Sequence, residues 1–412
     1  MRKNLLLVVL LSFTIFAQSQ TDHFVYAVTD AQKGGSNWSF LRKLNLQSGE
    51  FSSILFDGSN VNQVAFDATT KKQIETFPTV GEKGYSTQPG FNSGVAAIAY
   101  DQRNNFIYYT PMFIDQLRYI DLNSMNLYYV TNQPFTSLPN KSSDQGSVVT
   151  RMVIAADGNG YALTNDATHL IRFSTVNNLI IEDLGTLVDA PGNQTLSIHN
   201  SCSSYGGDMI ADNAGNLYLI SASNHVFKIN IDTKIATLIG TINGLPADFT
   251  VNGVAVDLNN QILVSSAVNE NYYFTINPET WSATTFKSSN GIWRSSDLAN
   301  GNILNSQGKS SGTDIKLLAI SSGVYSNLIQ VYPNPVTDNQ FTIQFSKMEA
   351  GNYILQVTNV MGQQVMQQKV NVVNGEQSEN VNLNPLFAKG IYLIKVTNQN
   401  SKSVFSKKII VQ

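Results

Sequence analysis

Cysteine and charge are both scarce in this 412-residue chain. Cys202 is the single cysteine, so neither an intrachain disulfide nor a cysteine-based metal cluster can form. We expect its side chain to be a small buried hydrophobe and not a reactive thiol. Charged residues make up 13% of the chain and the net charge is -3, so there is no basic field for phosphate groups. Nucleic acid and anionic lipid are therefore not expected as partners.

Long apolar runs are missing beyond the N-terminus. Leu5–Phe16 is apolar, follows the positively charged Arg2-Lys3, and precedes the small residues Ala17 and Ser19. This pattern predicts a secretory signal peptide over residues 1–19, cleaved after Ser19 or at a neighbouring bond. No later segment reaches the roughly 18 apolar residues of a spanning helix, and no cysteine follows the run to carry a lipid anchor. We expect a soluble mature protein with no transmembrane segment.

The spacings that mark common enzyme classes are absent as well. The four histidines are scattered without HExxH or HxH spacing: His23, His169, His199 and His225. There is no GxSxG elbow, P-loop or dinucleotide-binding glycine motif. The sequence therefore favours a protein without catalytic activity and leaves an enzyme as the alternative.

What the chain does contain is a repeated unit of four short strands. The clearest copy spans Asp208–Gly240, where four apolar or alternating segments are separated by turns rich in Asp, Asn and Gly. Further copies, complete or partial, begin at His23 and span Gly94–Asn132, Val148–Leu187, Val251–Phe286 and Gly291–Ser322. Four antiparallel strands about every forty residues is the period of a β-propeller blade.

We therefore predict a β-propeller over residues 20–322. Six blades are expected, with five or seven as alternatives because Ser59–Ser93 could conceal a strand or part of a blade. The unit at His23 lacks a convincing first strand and the unit at Gly291 lacks its last. The two ends should thus complete one another's blades and close the ring. Thr69–Ser93 is polar and rich in glycine, which predicts a long surface loop that acts as a lid over a ligand.

The repeat ends at Ser322, and a short linker, residues 323–328, precedes a second domain over residues 329–412. Pro333-Asn334-Pro335 cannot continue a strand ladder, because proline has no N–H to donate. Short alternating strands and the hairpin signal Asn374-Gly375 follow. This part of the chain is predicted to be a small Ig-like antiparallel β-sandwich.

Several motifs follow one another in this second domain: VYPNP, GNYILQVTNVMGQQV, NG, GIYLIKV and, at the end, KKIIVQ. Their order resembles the type A C-terminal sorting domain of cargo for the Bacteroidetes type IX secretion system. The positions that carry the resemblance are Tyr332, Pro333, Asn334, Pro335, Gly362, Gly390, Tyr392, Lys407 and Lys408.

The resemblance implies a route and a destination. The signal peptide would export the chain to the periplasm, and the outer-membrane translocon would recognise and remove the sorting domain. The protein would then be released or attached to surface lipopolysaccharide. The alternative is that the domain is another sandwich module, such as a carbohydrate binder.

A candidate ligand site lies where the first strands of the predicted blades line the central channel. Its residues are Arg151, Tyr205, Asp208, Asn252, Trp293 and Arg294. A convergent set of polar and aromatic side chains could hold a glycan or a peptide. The alternative is that these side chains pair with one another and plug the channel.

Calcium is the one ion that the sequence leaves open, and no cofactor is otherwise expected. Asp208, Asn252 and Asp297 are weak candidates for it, since this ion prefers carboxylate and amide oxygens. Two functions compete. A non-catalytic binding or adhesion module at the cell surface is favoured, and the alternative is a calcium-dependent, lactonase-like hydrolase on a six-bladed propeller.

The acidic residues that end the first strands could also be read as calcium loops. They are Asp101, Asp157, Asp212 and Asp257, each followed by an asparagine. Asp and Asn favour tight turns because their side chains bond to their own backbone. We therefore interpret them as turns.

Overall fold

The computed structural model describes residues 21–138, 145–175, 179–193, 195–306, 329–337, 339–346, 348, 350–359, 364–373, 376–383, 389–397 and 403–411. The chain divides into two compact units, Met1–Gly308 and Lys309–Gln412. The predicted signal peptide, the linker, Gly362 and the Asn374-Gly375 turn lie outside the described residues.

The first unit is built from five sheets and one separate hairpin. The first sheet contains β1 (Phe24–Thr29), β2 (Phe40–Asn45) and β3 (Phe56–Asp57). The second sheet contains β4 (Ala65–Asp67), β7 (Val95–Asp101), β8 (Phe106–Pro111), β9 (Arg118–Asp121) and β10 (Asn126–Tyr129). The separate hairpin, β5 (Thr79–Val80) and β6 (Tyr85–Ser86), lies between β4 and β7 along the chain. The third contains β11 (Val149–Ile154), β12 (Gly160–Thr164), β13 (Leu170–Phe173) and β14 (Ile181–Asp183).

The fourth and fifth sheets repeat the pattern. The fourth contains β15 (Val188–Asp189), β16 (Asp208–Ala211), β17 (Asn216–Ile220), β18 (His225–Asn230) and β19 (Ile235–Thr241), with a 3-10 turn at Pro191–Asn193. The fifth contains β20 (Val254–Val256), β21 (Ile262–Val264), β22 (Tyr273–Ile276) and β23 (Ala283–Phe286). The last strand of the unit, β24 (Asp297–Ala299), returns to the first sheet.

The five sheets follow one another in a closed cycle, as the blades of a β-propeller do. Their inner strands pack in the order β24, β7, β11, β16 and β20, and β20 packs back against β24. A separate hydrophobic cluster fills each junction between neighbouring sheets. Because both faces of each sheet are covered, strands such as β12 are buried throughout and read as continuous apolar runs.

Closure joins the two ends of the unit in one sheet. β24 pairs with β1 in antiparallel register, from Tyr26↔Ala299 to Val28↔Asp297. This confirms that the unit at His23 and the unit at Gly291 complete one another. Since these two partial units form a single sheet, the described residues contain five such sheets where six blades were predicted.

The acidic residues at the ends of the first strands form turns, as predicted. Asp157 accepts a hydrogen bond from the backbone N–H of Asn159, at 2.9 Å. Asp212 accepts the backbone N–H groups of Ala214 and Asn216, at 2.9 and 2.8 Å. Their carboxylates thus hold the chain reversal that connects the first strand of a sheet to the second.

The second unit is a two-sheet sandwich. One sheet contains β25 (Ile329–Tyr332), β26 (Gln340–Ser346) and β29 (Glu376–Asn382). The other contains β27 (Gly351–Asn359), β28 (Gln364–Val372), β30 (Gly390–Thr397) and β31 (Ser403–Val411). Buried residues of both sheets, among them Ile343, Phe345, Leu355 and Ile394, form one shared core. The all-β prediction for both units is confirmed.

The residues of the predicted sorting motif divide between surface and core. Tyr332 and the Pro333-Asn334-Pro335 segment are exposed, and the Asn334 side chain accepts the backbone N–H of Ile410 at 2.9 Å. Tyr392 is buried in the sandwich core. The Lys407 ammonium donates to the carbonyl of Val331, at 3.4 Å. Gly390 opens β30, and the side chain of Lys408 lies outside the described atoms.

One prediction about a single residue is wrong. Cys202 is exposed, not buried, because it lies in the long connection before β16 and not in a strand. Its backbone N–H donates to the Asn200 side chain at 2.8 Å, and its carbonyl accepts the Ser223 hydroxyl at 3.0 Å. Within the described residues, no helix is long and apolar enough to cross a membrane.

Candidate functional site

Arg151, on the inner strand β11, is completely buried. Its guanidinium donates to the carbonyls of Thr164 and Asn165, at 3.0 and 3.1 Å, within its own sheet. It also donates to the carbonyls of Ser204 and Gly206 in the connection before β16. Burial lowers the pKa of this arginine to about 10, although the nearby Asp208 opposes that shift. All its donating groups thus serve the protein's own backbone.

Asp208 and Asp297 form a fully buried pair of carboxyl groups. Asp208 accepts the backbone N–H of Met209 at 2.6 Å and that of Val254, on the neighbouring inner strand, at 2.9 Å. Asp297 accepts the backbone N–H groups of Leu298 and of Ile98 on β7. Burial raises the pKa of Asp208 to about 7, and burial together with the adjacent Asp208 raises the pKa of Asp297 well above its usual range. The pair therefore ties four inner strands together at the centre of the ring.

The other predicted site residues lie elsewhere. Asn252 accepts the Thr250 hydroxyl and the Ala267 backbone N–H, at 3.1 and 2.9 Å. The Arg42 guanidinium lies over the Trp293 ring, with its central carbon 3.7 Å from the ring centre. Arg294 donates to the carbonyl of Gly34 at 2.7 Å.

Tyr205 is half-buried and acts electrostatically on Arg151, so it belongs with the central group. The structure therefore brings Arg151, Tyr205, Asp208 and Asp297 near one another and leaves Trp293 and Arg294 at the junction of the first and fifth sheets. The space between the inner strands amounts to about 10 Å³, which is the room of one water molecule.

The central carboxyl groups do not fit a calcium ion. Their oxygens bond to backbone N–H groups and to each other, and their raised pKa values mean that the pair holds a proton near neutral pH. Calcium requires several ionised or carbonyl oxygens that are free to turn towards it. Across the described ranges, no group of three or more His, Cys, Asp or Glu side chains is arranged to hold a metal.

A much larger cavity lies beside the second sheet, with a volume of about 880 Å³. That volume falls within the range of small-molecule and peptide-side-chain sites. One wall is the segment 74–87, which includes the β5–β6 hairpin. The opposite wall combines the β8–β9 connection with the chain that follows β10. Its lining residues are Ile74, Thr76, Phe77, Pro78, Val80, Gly81, Glu82, Thr87, Phe113, Ile114, Asp115, Gln116, Tyr129, Thr131, Pro134 and Leu138.

The base of the hairpin segment is fastened to the second sheet by a buried arginine. Arg118, on β9, donates to the carbonyls of Thr87, Pro89 and Gly90, at 3.0, 3.0 and 2.8 Å. Its guanidinium lies 3.8 Å from the ring centre of Tyr129. The Tyr129 hydroxyl adds a bond to the carbonyl of Gln88 at 2.7 Å. One wall of the cavity is therefore rigid at its base.

Asp115 and Gln116, two polar residues that line this cavity, are already bonded within the protein. Asp115 accepts the backbone N–H groups of Thr136 and Ser137, at 2.7 and 2.8 Å, and burial raises its pKa. Gln116 accepts from Arg118 at 2.9 Å and donates to the carbonyl of Val130 at 3.2 Å. Apart from Thr76 and the exposed Glu82, the surface left for a ligand is mainly apolar and aromatic. Phe113, one of its rings, is stacked against Tyr85 at a centroid distance of 6.0 Å.

None of the six residues predicted to bind ligand lines this cavity. Part of the predicted lid Thr69–Ser93 lines the cavity, but Arg151, Asp208 and Arg294, which were expected beneath it, do not. That this segment covers a ligand stays a prediction. Sequence reasoning missed Phe77, Phe113 and Asp115. The available signal was a pair of bulky aromatic residues, Phe77 and Phe113, outside the strands of the structure.

Comparison with known proteins concerns chiefly the second unit. Residues 330–412 match the family model described as the secretion system C-terminal sorting domain. The chain carries a C-terminal sorting domain. The resemblance to type IX secretion cargo is thereby confirmed, and the protein is secreted or surface-attached. No curated protein matches the sequence.

Solved structures give only distant similarities. PorZ, an essential bacterial surface component of the type IX secretion system of Porphyromonas gingivalis, is 14% identical with a TM-score of 0.33. That match covers 94% of this chain, which spans about half of PorZ, 51%. A streptogramin B lyase is 15% identical over 66% of this chain and 85% of its own, with a TM-score of 0.34. A putative 6-phosphogluconolactonase from Bacteroides fragilis is 14% identical over 68% and 99%, with a TM-score of 0.36. These values assign no activity to the chain.

Proposed function

We propose that the first unit is a non-catalytic binding module that holds bulky apolar side chains of a peptide at the cell surface or in the medium. The observation that carries this proposal is the 880 Å³ cavity with one wall fastened by Arg118. A preformed, rigid site avoids the cost of ordering a loop when the ligand binds.

The chemistry of the lining favours a peptide over a glycan at this cavity. Sugar hydroxyls need both donors and acceptors, and here Asp115 and Gln116 already make two side-chain bonds each within the protein. Apolar side chains lose nothing by leaving water in such a place, and each buried one contributes about 1.5–3 kcal/mol. The exposed acid Glu82 at the cavity's edge would favour a peptide with a positive charge next to its apolar residues.

Delivery is the role of the two ends of the chain. We propose that residues 1–19 direct the protein to the periplasm and are removed there. The sorting domain then engages the outer-membrane translocon and is cleaved off. Under this proposal residues 20–322 form the part of the protein that binds the ligand.

Binding can be tested with the chain from residue 20 to residue 412 and a library of short peptides that vary in aromatic and aliphatic content. Phe77→Ala and Phe113→Ala should each weaken the best peptide by roughly tenfold, the effect of about 1.4 kcal/mol. Tyr272→Ala is the matched control, because Tyr272 is an exposed aromatic outside the cavity lining. If the best peptide binds Phe77→Ala and Phe113→Ala as tightly as it binds Tyr272→Ala and the wild type, the assignment of the cavity is contradicted.

Export can be tested separately. Ile329–Gln412 placed behind a signal peptide and an unrelated reporter should carry that reporter out of a host with this secretion system. Retention of the reporter in the periplasm would contradict the proposed route.

A further inference from the structure

A second concave site lies on the outer part of the second sheet, facing the third. It has a volume of about 430 Å³. Its aromatic wall comes from three adjacent strands: Phe106 on β8, Tyr119 on β9 and Tyr128 on β10. The opposite side is formed by Thr175 and Leu179, which follow β13. This aromatic cleft shares no lining residue with the 880 Å³ cavity.

The three rings form a stacked ladder across the sheet. The centroids of Phe106 and Tyr119 are 4.9 Å apart at an interplanar angle of 20°, and those of Tyr119 and Tyr128 are 4.8 Å apart at 14°. Tyr119 is buried between its neighbours, whereas Phe106 and Tyr128 are partly exposed. The ladder therefore offers a rigid amphipathic surface in which hydroxyl groups border apolar rings.

A lysine supplies hydrogen-bond donors at one end of the ladder. Lys71 donates to the Tyr119 hydroxyl at 2.7 Å, and its ammonium lies 4.8 Å from the ring centre of Tyr128. The turn that presents it is held by Asp67, whose side chain accepts the backbone N–H groups of Thr69 and Thr70, at 3.1 and 2.5 Å. An ammonium has three N–H donors, so two are left for a ligand after the bond to Tyr119.

Acceptors surround the rest of the cleft. Both N–H groups of the Asn104 amide are engaged, with Asp101 at 2.6 Å and the Thr175 carbonyl at 3.0 Å, which leaves the amide oxygen for a ligand. Each carboxylate oxygen of Asp121 accepts one bond, from the Asn123 backbone at 2.9 Å or the Ser124 hydroxyl at 2.8 Å. A carboxylate has about four lone-pair sites, so Asp121 keeps capacity to accept more.

We propose that this aromatic cleft binds a neutral saccharide. A sugar ring has apolar C–H faces that pack on aromatic rings, and its hydroxyl groups donate to the acceptors Asn104 and Asp121 and accept from Lys71. A proline-rich peptide, which has few backbone N–H groups, would bury those acceptors without donors, at a cost of about 1–3 kcal/mol for each group. Acidic sugars are disfavoured, because Asp67 and Asp121 both act electrostatically at the Lys71 ammonium and offset its charge.

The test uses the mature full chain and saturation-transfer NMR with cellobiose, maltose, lactose and chitobiose as probes. At least one disaccharide should receive saturation from the protein. Tyr128→Ala should weaken that binding by roughly tenfold, equal to about 1.4 kcal/mol. Lys71→Met, which keeps the aliphatic stem and removes the donors, should weaken it as well, and Tyr128→Phe should have a smaller effect because the ring stays.

Phe77→Ala is the matched control, since Phe77 lines the other cavity and should leave saccharide binding unchanged. Circular dichroism establishes that each variant is folded. The proposal is overturned if none of the four disaccharides binds, or if binding is undiminished in folded Tyr128→Ala. Displacement of a bound disaccharide by a proline-rich peptide that binds more tightly would also overturn it.

Discussion

The centre of the ring and the cavity beside the second sheet both contain a buried arginine bonded to backbone carbonyls, yet only one of them has room for a ligand. At the centre, Arg151 and the Asp208–Asp297 pair bond to the protein's own groups, and the space left between the inner strands is about 10 Å³. Beside the second sheet, Arg118 fastens one wall of a cavity of about 880 Å³. Buried charge thus serves closure in the first region and preorganisation of a wall in the second.

The largest expected effect comes from removing the central arginine. Arg151→Ala leaves three backbone carbonyls without a donor, since that of Thr164 keeps the Ala167 N–H, and it leaves an unfilled volume in the core. The free energy of unfolding should therefore fall by about 4 kcal/mol. Chemical denaturation of the mature chain measures this. Peptide binding by the surviving folded fraction should be unchanged.

Arg294→Ala is the comparison variant for this experiment. Arg294 is partly exposed, and its contact with Glu270 is 3.6 Å long. A partly exposed ion pair of this kind contributes about 1 kcal/mol or less to the free energy of unfolding, so Arg294→Ala should lower it far less than Arg151→Ala. If Arg151→Ala were as stable as Arg294→Ala and had lost ligand binding, the centre of the ring would be a binding site.

The second prediction concerns pH and the carboxyl pair. Because the folded pKa of Asp208 is raised to about 7, the folded state binds more protons than the unfolded chain between about pH 4 and 7. The free energy of unfolding should therefore be highest at the acid end of this window and fall as pH rises through 7. At about 1.4 kcal/mol for each pKa unit, the shift of Asp208 from 3.8 to about 7 corresponds to a decline of roughly 4 kcal/mol.

Asp297→Asn sharpens this test by removing one charge of the pair. The decline in stability between pH 4 and 8 should become smaller, because the carboxyl group whose pKa is raised by burial and by the neighbouring Asp208 is no longer there to ionise. A profile that rises with pH across this window would contradict the proposed shared proton.

The sequence was sufficient to predict the strands but not the site, and the reason lies in the range of the interactions involved. Strand rhythm is local, and the pairing of β24 with β1 followed from two incomplete units. The cavity, in contrast, depends on bonds between Arg118 and carbonyls up to 31 residues away. Nothing in the spacing of Phe77 and Phe113 indicates that both would face the same space. The polar residues Arg151 and Asp208 looked available for a ligand because a sequence does not display the backbone groups that they satisfy.

A third prediction addresses the fastened wall. Arg118→Lys keeps the charge but replaces a planar fork by a single ammonium that cannot reach three carbonyls at once. The segment 74–87 should loosen, and peptide affinity should fall by roughly tenfold through the added cost of ordering the wall. Limited proteolysis should cut within this segment sooner than in the wild type. Unchanged affinity together with faster cleavage would mean that the wall does not contribute to binding.

The smallest expected effect on the free energy of unfolding is at Cys202. A substitution there tests whether its side chain is exposed, as the structure has it, or buried, as the sequence predicted. Its thiol is exposed, and the connection around it is held through backbone bonds to Asn200 and Ser223. Cys202→Ser should therefore change the free energy of unfolding by less than about 0.5 kcal/mol, as surface substitutions usually do. A thiol reagent should label wild-type Cys202 at the same rate in native and denatured protein, apart from the effect of solvent. Strong protection of the thiol from the reagent in the native state, together with a free energy of unfolding lower by several kcal/mol in Cys202→Ser, would place Cys202 in the core as the sequence predicted. The connection that carries Ser204 and Gly206 to Arg151 would then be packed differently.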